Sequence, residues 1–187
     1  MKIGKYSIDE YIDVVQSFHG FAAPGVIVGG IMVELAYENL PQEGLFDAIS
    51  ETSRCLPDAI QLLTPCTIGN NWLKVFNFGR FALSLYDKTN GKGVRISIQA
   101  PRLEAWPEIK TWFFKLKPKA EQDSGLLLLQ IKKAGSSILS IQHVNINPDF
   151  LIRQRREKFA ICPECLEAYP AADGDICLAC KEKLLYR

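Results

Sequence analysis

The chain has 187 residues, enough for one ordinary hydrophobic core and a small additional piece. Hydrophobic residues make up 48% and charged residues 23%, which excludes a disordered, collagen-like or coiled-coil chain and predicts a soluble globular protein. With 22 Lys and Arg against 21 Asp and Glu, the net charge of +1 creates no global field toward nucleic acid or an anionic membrane, so any such partner must be recognised by a local patch.

Met1-Lys2-Ile3-Gly4-Lys5-Tyr6 lacks the apolar run of a secretory signal, so a cytoplasmic chain with reduced thiols is expected. Ser7-Ile8-Asp9-Glu10 reads as a capping box, and Ile8, Tyr11, Ile12 and Val15 then recur at helical spacing, predicting a helix from Ile8 to Phe18. Pro24 suits the first turn of a second helix, apolar almost all round and ending at Asn39 before Leu40-Pro41. The uncharged stretch from Val14 to Val33 is interrupted by His19, Pro24 and glycines, and its apolar part is too short to span a membrane. Gly25 and Gly29 lie four apart on one face of the second helix, which suits tight helix packing. Leu45 to Ser50 reads as a strand, and Pro57 to Leu63 as a helix with Cys55 just ahead of its start. Leu73 to Phe76, Phe81 to Tyr86 and Val94 to Ile98 alternate with period two, predicting three antiparallel strands joined by hairpins. Trp106 to Leu116 and Gln122 to Lys133 are candidate helices, and Ile138 to Ile146 alternates again. Trp106, Trp112, Phe113 and Phe114 suit either an interface or a core.

Cys162-Pro163-Glu164-Cys165 and Cys177-Leu178-Ala179-Cys180 are two Cys-x-x-Cys pairs eleven residues apart. Two residues between thiolates let both reach one ion from a single tight turn, and two such turns supply the four ligands of a closed Zn2+ site. Iron, as in rubredoxin, or an iron-sulfur cluster uses the same donors. The segment is too small for a hydrophobic core to hold alone, so the metal is expected to supply its folding energy. With Asp173-Gly174-Asp175 as a turn and Lys181 to Leu185 as a closing helix, the order resembles a treble-clef finger. Arg153-Gln154-Arg155-Arg156-Glu157-Lys158 raises a nucleic-acid-binding alternative. Residues 151–187 hold seven Lys or Arg against six Asp or Glu, however, and a zinc tetrathiolate adds negative charge, so a solvated linker or protein contact is the better reading.

The other two thiols, Cys55 and Cys66, lie near opposite ends of the third helix. A thiol at a helix N-terminus feels the positive end of the dipole, so Cys55 is expected to have a lowered pKa. It is the candidate nucleophile of a thiol-dependent enzyme, with His19 or His143 as base. The bland alternative is two buried structural thiols and a capping His19.

Phe18-His19-Gly20 with Pro24-Gly25, Glu51 to Gln61, Cys66-Thr67-Ile68-Gly69, Gly79 to Ala82, Val94 to Ser97 and the terminal cysteine pairs together resemble the E-subunit family of formylmethanofuran dehydrogenase. The resemblance implies an α+β core over 1-150, helix-helix-strand-helix followed by antiparallel strands and similar in topology to the catalytic domain of glyceraldehyde-phosphate dehydrogenase, with a four-cysteine zinc finger over 151-187. It further implies a homodimer, an accessory role in anaerobic one-carbon or molybdenum/tungsten enzyme metabolism, a protein partner from that system, and a metal or thiol pocket in the core. For that pocket the candidates are His19, Cys55, Cys66 and Thr67, with Asp58 orienting them; Phe21 and Ala23 stand where the family motif carries a second histidine and a cysteine. Whether His19, Cys55 and Cys66 hold a second ion or serve otherwise stays open at this point.

Overall fold

The computed structural model describes residues 1–40, 44–150 and 158–182, which divide into two compact units, Met1–Leu151 and Ile152–Arg187. In the first unit a short hairpin, β1 (Lys2–Ile3) and β2 (Tyr6–Ser7), leads into helix α1 (Ile8–His19). Ser7 and Glu10 form the reciprocal capping box, each accepting from the other's backbone N–H, and Gly20 closes the helix with φ +86°. Helix α2 (Pro24–Asn39) starts on its proline, and its residues from Gly25 to Val33 are all buried. The uncharged stretch is thus split between two helices, and no helix among the described residues is long and apolar enough to cross a membrane.

Strand β3 (Phe46–Ser50) is followed by helix α3 (Leu56–Leu63), β4 (Leu73–Val75), β5 (Ala82–Asp87) and β6 (Lys92–Ile98). A 3-10 turn at Ala100–Ala105 precedes helix α4 (Pro107–Phe113), helix α5 (Ser124–Ala134) and strand β7 (Leu139–Asn145). The five-stranded sheet has the order β4-β3-β5-β6-β7. The hairpin expected between β4 and β5 does not form. β4 instead pairs in parallel with β3, and β3 lies between β4 and β5. Alternation marks a strand and leaves its partner open; here α3 provides the crossover that a parallel pair needs, and Phe76 N–H and Phe78 N–H donate to Ser50 O and Glu51 O, extending the β3 side.

Ala48, Leu85 and Val94 align across three strands, as do Leu83 and Ile96, and this apolar face packs under α2. The opposite face carries the row Ile49, Ser84, Arg95 and Gln142. Gly29 admits α3: a Cβ there would lie 2.7 Å from the Ala59 Cβ. Trp106, Trp112 and Phe113 are partly buried against the core, whereas Phe114 is exposed.

In the second unit β8 (Phe159–Ile161) and β9 (Ala168–Pro170) form a hairpin, a 3-10 turn spans Ala171–Asp173, and α6 covers Leu178–Glu182. Of the expected closing helix, 183–185 lie outside the described residues, as do 153–157 of the basic run.

Candidate functional site

Cys162 and Cys165 sit in the turn between β8 and β9, where Cys162 N–H donates to Glu167 O and Leu166 N–H to Cys162 O, both at 2.9 Å. Leu166 adopts φ +63° to complete this tight knuckle. Cys177 precedes α6 and Cys180 lies within its first turn, with Cys180 N–H donating to Cys177 Sγ at 3.4 Å. All four sulfurs lie within 4.8 Å of one another, and Cys165 Sγ to Cys177 Sγ is 3.8 Å. A zinc–sulfur bond of about 2.3 Å gives a tetrahedron with an edge of about 3.8 Å, so the donor set fits zinc. Backbone N–H groups of Cys177 and Cys165 hold the Cys162 thiol down to about 6, while hydrogen bonding with Cys177 and burial push Cys180 up. Only a cation lets four thiols this close ionise together. This is a structural Zn2+ site. It is also the one group of three or more His, Cys, Asp or Glu donors close enough to share an ion among the described residues.

The core unit carries a cleft of about 1040 Å3 between the end of α1, the start of α2, the start of α3 and the α4–α5 connection. Cys55 lies at one wall in an unusual backbone state, φ +57° and ψ −46°, with Leu56 N–H donating across it to Arg54 O at 2.6 Å. This is a three-residue turn of the strained hand. Its sulfur fills the space above Gly25, where a Cβ would approach it to 2.6 Å. The expected activation of this thiol is not realised. Burial, with the Asp58 charge adding to it, pushes Cys55 up, because loss of water outweighs a helix end facing it from the strained turn.

His19 lines the cleft and its Nδ1 lies 3.3 Å from Asp58 Oδ2, both side chains about 30% exposed. Asp58, in the first turn of α3, thus orients the imidazole. Cys66 does not join them. It is buried beneath β3, its Sγ 3.6 Å from Phe46 O, and burial pushes it up to about 11. Thr67 belongs to a separate exposed turn, its N–H donating to Asn70 Oδ1 and its Oγ1 accepting from Asn70 N–H. His143 lies on strand β7 and is exposed. Phe21 and Ala23 line the cleft as apolar groups, with Trp112, Leu116, Leu127 and Leu128.

The family model described as FmdE, molybdenum formylmethanofuran dehydrogenase operon, matches residues 18–146, and the FmdE treble clef zinc finger matches 153–187. The chain belongs to the FmdE family. The crystal structure of an FmdE-like protein of tungsten formylmethanofuran dehydrogenase from Syntrophus aciditrophicus superposes with a TM-score of 0.90 at 47% identity, covering 100% of both chains. A probable S-adenosyl-L-methionine-binding protein of Archaeoglobus fulgidus is 29% identical over 186 residues, 88% of this chain and 50% of that protein. The chain therefore spans about half the length of that relative.

Some features of this FmdE core escaped sequence reading. Lys115, Lys117 and Lys119 line the cleft, and Lys119 Nζ lies 4.2 Å from the Phe21 ring centroid. The alternation Lys115-Leu116-Lys117-Pro118-Lys119 was the available signal. On the opposite sheet face, Glu51 Oε1 accepts from Arg95 Nε at 2.6 Å and Oε2 from Arg95 Nη2 at 2.9 Å, with Arg80 Nε 2.7 Å from Oε2. Only the fold brings these three together.

Proposed function

We propose that this protein is a cytoplasmic, homodimeric accessory protein of molybdenum or tungsten enzymes in anaerobic one-carbon metabolism, whose zinc finger docks a protein partner and whose core cleft receives a small ligand beside Cys55. The observation that carries the ligand-binding part is the cleft itself: a large, mostly apolar concavity in which a strained Cys55 and an Asp58-held His19 meet three lysines. The family membership and the FmdE-like neighbour support the metabolic setting, and the apolar Phe18, Phe21, Phe114 and Leu116, all more than 40% exposed, support a second copy covering part of this surface.

A second core metal is the weaker reading, because Cys66 is held away from His19 and Cys55 and the cleft lacks three close donors among the described residues. S-adenosyl-L-methionine is likewise disfavoured, since no carboxylate is among the described lining residues to face its sulfonium and three lysines repel it. The decisive experiment purifies the full chain without oxygen and measures its mass by light scattering and its binding to isolated molybdenum or tungsten formylmethanofuran dehydrogenase. A dimer that binds saturably, and loses binding when zinc is chelated, is expected. A monomer refutes the homodimer, and absence of binding refutes the metabolic link.

A further inference from the structure

Sixteen of the cleft's described lining residues offer no negative charge to a ligand, and the remaining one, Cys55, has its thiol pushed toward the neutral form. On a chain whose net charge is only +1, three of those residues are lysines. Lys115 and Lys117 have no ion-pair partner among the described residues, while Lys119 rests over Phe21. Nearby carboxylates are already engaged: Asp58 with His19, and Asp123 with Leu126 N–H at 2.9 Å. The floor and walls between are apolar, formed by Ala23, Pro24, Trp112, Leu127 and Leu128.

Lys115 sits where a side chain is costly. It follows α4 with φ +53°, its N–H donating to Trp112 O at 3.3 Å while Leu116 N–H donates to Thr111 O at 3.0 Å. That double bond pattern ends helices on a left-handed residue, a position glycine ordinarily occupies. A lysine there is retained against local stability, at the mouth of the cleft, and Cys55 is the other cleft residue held at positive φ.

We infer that the cleft binds an amphipathic organic anion, its apolar body lying against Trp112, Leu127 and Leu128 and its carboxylate or phosphate head held by Lys115 and Lys117. This rests on the cleft being the core's binding site, as proposed above. Apolar contact supplies affinity along the trough, and the lysines select the sign of the head group.

The test titrates the zinc-loaded full chain with decanoate, decyl phosphate, decanol and decyltrimethylammonium, all below their micellar concentrations. Tryptophan fluorescence reports binding, and a Trp112→Phe variant assigns the signal. Decanoate or decyl phosphate should bind about tenfold or more tighter than decanol, the gain expected of a charge-assisted contact, with decyltrimethylammonium weakest. The tighter of the two anions identifies the head group. Lys117→Glu should erase that advantage, and Lys115→Gly should weaken anion binding while raising the thermal midpoint, a combination that a purely structural lysine does not produce. Equal affinity for anion, alcohol and cation overturns the anion assignment while leaving the cleft a binding site. Failure of all four to bind overturns both readings.

Discussion

At Cys55 the backbone and the side chain are constrained for different reasons. The turn through φ +57° costs on the order of 1–3 kcal/mol, and the sulfur it aims inward packs on the first turn of α2 over Gly25. The two positions are therefore coupled. Gly25→Ala is expected to destabilise the core by about 1–3 kcal/mol through overpacking, and adding Cys55→Gly should recover most of that loss, because it removes both the obstructing sulfur and the strain. Denaturant melts of the two single variants and the double variant check this; strictly additive losses would refute the contact. The thiol was readable as a reactive residue from its place before a helix, yet desolvation reverses the expected direction. Desolvation depends on what α2 and the α4 end place above the sulfur, which local sequence does not contain.

At the level of elements, the sheet is held on its open face by Glu51. Arg95 on β6 and Arg80 before β5 both converge on this carboxylate at the end of β3, and Arg95 also reaches Gln142 on β7 at 2.7 Å. The Arg95 hydrogen bonds hold the Glu51 carboxyl below its usual value, despite burial acting the other way. A carboxyl depressed in the folded state contributes stability above its unfolded pKa, and that contribution is lost as pH falls through the folded value. Glu51→Gln should therefore be about 2 kcal/mol less stable at pH 7, with the difference shrinking as acid protonates Glu51 in the parent. Urea melts from pH 7 down to the acid limb measure it, and a constant difference across that range would exclude the linkage. The strands themselves were legible from alternation. Their order was not, because a parallel crossover and a hairpin present the same period-two pattern, and β4 went to β3 through α3.

On the scale of the whole molecule, the two units are stabilised by different physics. The core unit buries a continuous apolar layer beneath α2, whereas the described core of the second unit is Cys162, Tyr169 and Cys177 with a few partly buried neighbours. Zinc binding, worth on the order of 10–16 kcal/mol in such sites, supplies what that small cluster lacks. Elemental analysis should give one zinc per chain, and Cys162→Ser or strong chelation should expose 158–182 to protease while the core unit keeps its thermal transition. Loss of the core transition with the metal would refute separate stabilisation.

The zinc ligands, the first two helices and the strand segments were legible in the sequence by itself, because each is written in neighbouring residues: two thiols per turn, a capping box, an apolar period. The cleft was not. Its walls come from His19, Cys55 and residues 112–128, and the same folding carried Cys66, which sequence had grouped with them, to the far end of α3 under β3. Short-range patterns report the covalent neighbourhood, while a cavity and its charge are set by which distant segments the apolar core draws together.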